Sequence, residues 1–266
     1  MRLKIRHTTR YQFEAPVHRG LQQLRVTPLA GGNQSVTGWS VEIDQGTKQL
    51  EFQDHFGNHV DLIALDTDTQ EVTITCGGEV ELVENHGVLG RHWGPTPLWL
   101  YKRQTDRTKA GVNVRRLARQ VEGDSDLDRM HMLKELTADA VAYKTGASEP
   151  DWTAEDAVIE GHGVCQDHAH VFIACARVLG LPARYVSGYL MMDDRTDQDA
   201  MHAWAEVCLP DLGWVGFDAS NRMSPDTRYV RVATGLDYSD AAPVIGTRVG
   251  GTGEALSVEI EVAQQQ

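Results

Sequence analysis

The sequence predicts an α+β protein: an N-terminal β-sandwich-like unit, then a unit in which one buried helix packs on an antiparallel sheet. Three observations carry this prediction. Short alternating or β-branched segments fill the first 85 or so residues. A run from Gly163 to Gly180 is apolar on nearly every helical face. Two strand patterns, His202–Leu209 and Trp214–Phe217, then flank the turn Pro210-Asp211-Leu212-Gly213. The division expected is 1–100 for the β unit and 101–266 for the second unit with its C-terminal strands.

In chain order, Arg2–His7 alternates, with Leu3 and Ile5 on one face and Arg2, Lys4 and Arg6 on the other. Val36–Ile43, Val60–Leu65, Glu71–Thr75 and Glu79–Val83 read as further strands, with Gly-Gly, Asp-rich or Gly-Asn turns between them, Asp54–Asn58 being one such turn. Gly90, Gly94, Pro95 and Pro97 mark a crossing between units. Helices follow over Asn113–Val121 and Asp126–Lys144, the latter with a stripe of Met130, Leu133, Leu136, Thr137, Ala140 and Val141 behind a Ser125 cap. Thr153 and Asp156 have capping-box spacing and open a brief helix that stops at Gly161. The helix of 163–180 ends at Gly180 and Pro182, and a strand runs over Ala183–Leu190. The remainder reads as loops and short strands, with a frayed Gln-Gln-Gln end.

Composition narrows the function. Lys and Arg number 25 against 38 Asp and Glu, a net charge of −13. That balance argues against nonspecific nucleic-acid binding and against docking on an anionic membrane. The most apolar stretch, Val171–Leu181, is short of a membrane span and contains Arg177. The basic start lacks an apolar stretch behind it, so no secretory leader is expected and the expected location is cytoplasmic. Cys76, Cys165, Cys175 and Cys208 follow no disulfide or CxxC spacing and read as free thiols.

One of these thiols differs in position. Cys165 falls in the first turn of the predicted buried helix, where unpaired N–H groups and partial positive charge favour a thiolate and can hold an oxyanion. His202 opens a strand and Asp218 closes its hairpin partner, so both reach the same sheet edge. Nucleophile, general base and orienting carboxylate are the corresponding roles.

Gly163-Val164-Cys165-Gln166-Asp167, Gly180-Leu181-Pro182-Ala183-Arg184-Tyr185-Val186-Ser187-Gly188-Tyr189, His202-Ala203-Trp204-Ala205-Glu206-Val207 and Gly213-Trp214-Val215-Gly216-Phe217-Asp218 occur in that order. Together they resemble the transglutaminase-like superfamily, in its bacterial cysteine-protease branch. Tyr11, His18-Arg19 and Asp54–Asn58 resemble the N-terminal domain of that branch, and Gly235–Val244 its tail. The resemblance implies a papain-like arrangement and the trio Cys165, His202 and Asp218. Asp218-Ala219-Ser220-Asn221 replaces the usual Asp-Pro-Thr-Asn, and His168 stands where an aromatic such as Phe is usual.

Tyr143, Gln166 and Trp204 are the candidate substrate contacts, with core packing the alternative for Tyr143 and Trp204. Asp167 reads as structural support, and Arg184 as strand-face packing or an internal salt bridge. The acidic loop Asp193–Asp199 precedes His202 and reads as a solvated loop that could also favour basic substrates. The expected reaction is hydrolysis of a peptide, isopeptide or amide bond through a Cys165 thioester, with no cofactor; an amine acceptor is the alternative. Two further readings are a zinc site drawn from His162, Cys165, His168, His170 and His202, and a non-catalytic interaction module. The His/Cys spacing matches no common zinc pattern and leaves Asp218 without a role.

Overall fold

The computed structural model describes residues 1–265. Its first half is built on one 23-residue strand, β1 (Arg2–Leu24). It is followed by β2 (Gln34–Asp44), β3 (Gly46–Gln53), β4 (His59–Leu65) and β5 (Thr69–Leu82). The alternation seen at Arg2–His7 continues far beyond it, because β1 serves two sets of neighbours. Residues 2–12 pair with β5, and residues 21–24 pair with β4. An irregularity between Gln12 and Val17 turns the strand from one set to the other.

The two strands expected at 71–75 and 79–83 are a single strand, β5, which runs through Gly77-Gly78. Neighbouring backbones approach closely there. A Cβ on Gly77 would meet the Ile5 carbonyl oxygen at 2.6 Å, and one on Gly78 the Gly38 carbonyl oxygen at 1.7 Å. These glycines therefore admit close packing of three strands where a turn was read.

The second half begins with β6 (Val88–Gly90). It continues through α1 (Val112–Ala118), α2 (Asp126–Ala140), β7 (Ala142–Tyr143), α3 (Ala154–Glu160) and β8 (His162–Gly163). Next come α4 (Cys165–Val178), β9 (Ala183–Leu190), β10 (Asp197–Gln198), β11 (His202–Leu209) and β12 (Gly213–Phe217). The chain ends with β13 (Tyr229–Gly235), α5 (Tyr238–Ala241), β14 (Val244–Gly250) and β15 (Glu254–Gln264). Strands β13-β9-β11-β12-β6 form a five-stranded antiparallel sheet.

The helix stops are chemical. Thr153 and Asp156 form the predicted capping box of α3, which ends on left-handed Gly161. Ser125 caps α2, but α2 ends at Ala140, short of the predicted Lys144, because Ala142 and Tyr143 leave the helix to pair with His162 and Gly163.

Helix α4 is buried without a break from Asp167 to Arg177. Phe172, Ile173 and Ala176 pack in one core with Ala205, Val207 and Phe217 of the sheet. Arg177, which interrupts the apolar run in the sequence, spends its guanidinium on the carbonyl oxygens of Tyr101, Ala183 and Leu236 and on the Thr108 hydroxyl, at 2.7–3.0 Å. It thereby ties the C-terminal end of α4 to three other segments and complements the helix dipole.

The C-terminal strands, expected with the second unit, lie elsewhere. Both pair with β1: β15 along residues 3–13 and β14 along residues 17–24. The first sheet is thus one eight-stranded network closed by the two ends of the chain. Of the terminal glutamines expected to fray, Gln264 closes β15 and Gln265 donates to the Arg2 carbonyl at 3.0 Å; Gln266 lies outside the described residues.

Candidate active site

The structure places the three sequence candidates at the N-terminal end of α4 and the adjoining edge of the second sheet. Cys165 is the first residue of α4 and is half-buried. Asp167 fixes the start of this helix: its Oδ2 accepts the Val164 N–H at 2.8 Å, the reciprocal half of a capping box. His202 opens β11 and Asp218 immediately follows β12, and both are buried.

Nε2 of His202 lies 2.6 Å from Oδ2 of Asp218. A carboxylate only accepts, so Nε2 carries the hydrogen and Nδ1 is the remaining nitrogen. Asp218 accepts further hydrogen bonds from the Ser220 hydroxyl (2.6 Å), the Asn221 backbone N–H (3.2 Å), the Asn221 side-chain amide (2.7 Å) and the Tyr229 hydroxyl (2.8 Å). Burial opposes ionisation of this carboxyl, but His202 and these donors outweigh it and hold it well below the usual carboxylate range. Burial likewise opposes protonation of His202. The charge and hydrogen bond of Asp218, with Cys165 adding to them, instead push His202 up to about 10. The effect of Cys165 on His202 puts the thiol near this pair.

The other thiols differ. Cys76, Cys175 and Cys208 are buried, and burial pushes Cys76 and Cys175 up to about 12. Cys165 opens instead on a cleft of about 500 Å³. One wall carries Cys165, Gln166, Tyr185 and His202; the other carries His7, Thr9 and Tyr11 of β1 with Leu256 and Val258 of β15.

The remaining predictions separate. Tyr143 and Gln166 line the cleft. Tyr143 is 56% exposed, and burial of the rest of its ring together with the nearby Cys165 raises its hydroxyl above its ordinary range. Trp204 does not line the cleft. It is 3% exposed and packs with Val186, Leu190 and Tyr229, its ring stacked 6.2 Å from His202. Two residues along one strand face put it in the layer beneath the histidine, and Gly188 leaves the room it needs. Arg184 is held internally: its guanidinium binds buried Glu206 at 2.6–2.7 Å and lies over Trp214 at 4.0 Å. The loop at Asp193–Asp199 contributes Arg195, Asp197, Gln198 and Asp199 to the cleft lining, and Asp197 and Gln198 pair with Glu261 and Ile260.

The histidines weighed as zinc ligands do not converge. His168 directs its two ring nitrogens at the carbonyl oxygens of Val164 and Val141, and His162 at those of Glu160 and Ala147. His170 accepts the Tyr238 N–H, and His202 faces Asp218.

The sequence reading missed Tyr229 and the β1 wall. Asn221 carried a signal in its three-residue spacing from Asp218, whereas Tyr229 reaches Asp218 only after the chain returns as β13. Residues 7–11 meet the cleft by packing between distant segments, which no local pattern reports.

Comparison with known proteins bears on the family and the fold. Residues 115–219 match the model of the transglutaminase-like superfamily, and residues 3–81 that of the bacterial transglutaminase-like N-terminal region. The chain carries a transglutaminase-like core behind a bacterial transglutaminase-like N-terminal region. An uncharacterized protein of Mycobacterium leprae is 26% identical over 280 residues, covering 99% of each chain. An uncharacterized protein of Mycobacterium tuberculosis is 39% identical over 114 residues, which span 39% of this chain and 36% of that protein. A solved structure from Cytophaga hutchinsonii, named a putative cysteine protease, superposes with a TM-score of 0.76 at 22% identity and covers 100% of this chain and 92% of that one. That likeness establishes a transglutaminase-like fold with a strand-rich N-terminal region. The core match ends at Ala219, one residue past the carboxylate that binds His202.

Proposed function

We propose that this chain is a thiol-dependent acyl-transfer enzyme that hydrolyses an amide bond of a peptide, isopeptide or related substrate. The observation that carries the reading is the buried 2.6 Å His202–Asp218 pair beside a cleft-facing thiol at a helix N-terminus.

In this mechanism the Cys165 proton passes to Nδ1 of His202 while Asp218 holds Nε2–H, and the raised His202 favours the proton resting on the imidazole. The orientation fixes the productive tautomer and stabilises the imidazolium. The Cys165 thiolate attacks the carbonyl carbon, and the carbonyl oxygen becomes an oxyanion. The N–H groups of Cys165 and Gln166, in the first turn of α4, lie before the helix's own hydrogen bonding begins and are suited to receive that charge. Tyr143 on the cleft wall is a second donor, since its hydroxyl keeps its proton. Collapse of the intermediate breaks the C–N bond, and His202 gives its proton to the departing amine. The Cys165 thioester is then attacked by water, with His202 as base, to release a carboxylic acid.

A second reading follows from Asp197 and Asp199, which line the cleft. They favour an acceptor that carries a cationic group besides its neutral attacking amine, as a diamine does, giving amide exchange in place of hydrolysis. Mass spectrometry of products from an amide panel, with and without added amines, separates the two: acids are expected, and amide-exchanged products in excess would replace hydrolysis by transfer. The mechanism itself is tested by Cys165→Ala, which is expected to abolish turnover; undiminished activity would overturn it.

A further inference from the structure

A buried polar chain outside the proposed trio also ends at the cleft. Cys76 Sγ lies 3.7 Å from the Tyr189 hydroxyl. That hydroxyl lies 2.9 Å from Nδ1 of His7, and Nε2 of His7 lies 2.9 Å from the Thr9 hydroxyl. All four residues are buried, with His7 at 2% and Thr9 at 5% exposure. His7 and Thr9 belong to β1, whereas Tyr189 belongs to β9, so the chain crosses between the two sheets. The proposed reaction leaves these four residues without a role.

Hydrogen-bond direction along this chain is set by chemistry. A phenol is a better donor than a neutral imidazole N–H, so Tyr189 donates to Nδ1 of His7. The neutral ring then carries its hydrogen on Nε2 and donates to the Thr9 oxygen. Burial pushes His7 down to about 4, consistent with a neutral ring of this kind. The Cys76 thiol donates to the Tyr189 oxygen as a weak terminal partner. With its oxygen engaged by His7, Thr9 has one hydrogen left, and the residue lines the cleft opposite Cys165.

We propose that Thr9 is a substrate-binding residue of this cleft, its hydroxyl donating to a carbonyl oxygen of the acyl substrate other than the one that reacts, with His7 and Tyr189 as positioning residues. This rests on the acyl-transfer reading and adds to it the acceptor chemistry that the N-terminal wall selects. A substrate with a carbonyl beyond the scissile group, as in any peptide, would engage both walls; a simple alkyl amide would engage one.

The test uses the full chain and two probes: an N-chloroacetyl dipeptide methylamide, and its analogue in which trans-alkenes replace the peptide bonds. Inactivation of Cys165 is followed by mass spectrometry at rising probe concentration, and each rate is divided by that protein's own rate with iodoacetamide. The wild-type protein is expected to favour the carbonyl probe by roughly three- to tenfold, the range of one net hydrogen bond. The preference is expected in the half-saturating concentration, not in the maximal rate. Thr9→Val should bring the two probes level, Thr9→Ser should keep the preference, and Tyr189→Phe, away from the cleft, should reduce it in part. Equal preference in Thr9→Val and wild type, or none in wild type, overturns the assignment while Cys165 alkylation stays fast. Iodoacetamide labelling of Cys165 no faster than that of Cys76, Cys175 and Cys208 overturns the acyl-transfer reading, and this assignment with it.

Discussion

Asp218→Asn isolates the role of the carboxylate with little change of shape. The wild-type oxygens face five donors: His202 Nε2–H, the Ser220 hydroxyl, the backbone and side-chain N–H groups of Asn221, and the Tyr229 hydroxyl. An asparagine keeps one accepting oxygen and turns the other position into a donor. With its oxygen in the Oδ1 place it still serves Ser220 and the Asn221 backbone. Its NH₂ group then meets His202, the Asn221 amide and Tyr229, all of which were donating. His202 can resolve the conflict by moving its hydrogen to Nδ1, which removes the lone pair needed to deprotonate Cys165. In serine proteases a tautomer switch of this kind lowers kcat by about 10⁴, and a loss of about 10³–10⁴ is expected here. Hydrogen bonds to a charged group contribute about 1.5–3 kcal/mol each, so partial rearrangement of three should also cost a few kcal/mol of stability. The assay is turnover of the amide identified by the product panel, with thermal unfolding in parallel. Activity within tenfold of wild type, in a protein that remains folded, would refute the argument that Asp218 works by fixing the tautomer.

The His202–Asp218 pair also predicts how stability depends on pH. His202 is raised from 6.5 to about 10, so its contribution is fully present below about 6.5 and is lost as pH rises toward 10. Asp218 is depressed, so its contribution is present above its unfolded value and is lost in acid; the wild-type melting temperature should exceed that of His202→Gln most between about pH 4 and 6.5, with a flat difference from pH 4 to 10 as the contrary result. Gly188→Ala should unfold the second sheet locally or cost several kcal/mol, since its Cβ would meet the Val230 carbonyl oxygen at 2.1 Å and the Trp204 ring at 2.6 Å; denaturant unfolding within 0.5 kcal/mol of wild type would contradict this. Arg177→Met leaves the Tyr101, Ala183 and Leu236 carbonyls without this donor and should cost about 3–5 kcal/mol, read by chemical denaturation, with no change in the pH dependence of turnover.

What the sequence made legible was local. Strand alternation placed β4, β9, β11 and β12, and capping chemistry placed the starts of α2 and α3, because each signal lies within a few residues of the element it sets. The same holds for Cys165, His202 and Asp218, whose positions at element ends can be read before any packing is known. Trp204 reads as either substrate contact or core because period-2 alternation gives the face of a strand but not the depth along it. β5 was split because Gly77-Gly78 looks the same in a turn as in a strand pressed between two others. The pairing of β14 and β15 with β1 depends on contacts more than 200 residues apart in sequence, such as Leu3 with Gln264.

That long-range pairing bears on the chemistry. His202, Asp218, Ser220, Asn221 and Tyr229 all lie between residues 202 and 229, so the pair that would move the proton is assembled by one sheet and its loops. The cleft that would hold the acyl group is not. Its lining includes residues 7, 9 and 11 of β1 and 256 and 258 of β15, and the loop residues 197 and 198 that also line it are anchored by the pairing of β10 with β15. Proton transfer and substrate enclosure therefore depend on different parts of the chain. Removing the strands that form this wall would expose His202 and Cys165 on one flank. Water there would weaken the electrostatic interactions that now act in a buried setting. On the proposed reading the N-terminal strands matter to the reaction as much as to the fold: they complete the cleft lining, and variation in residues 7–11 would alter selectivity without touching Cys165, His202 or Asp218.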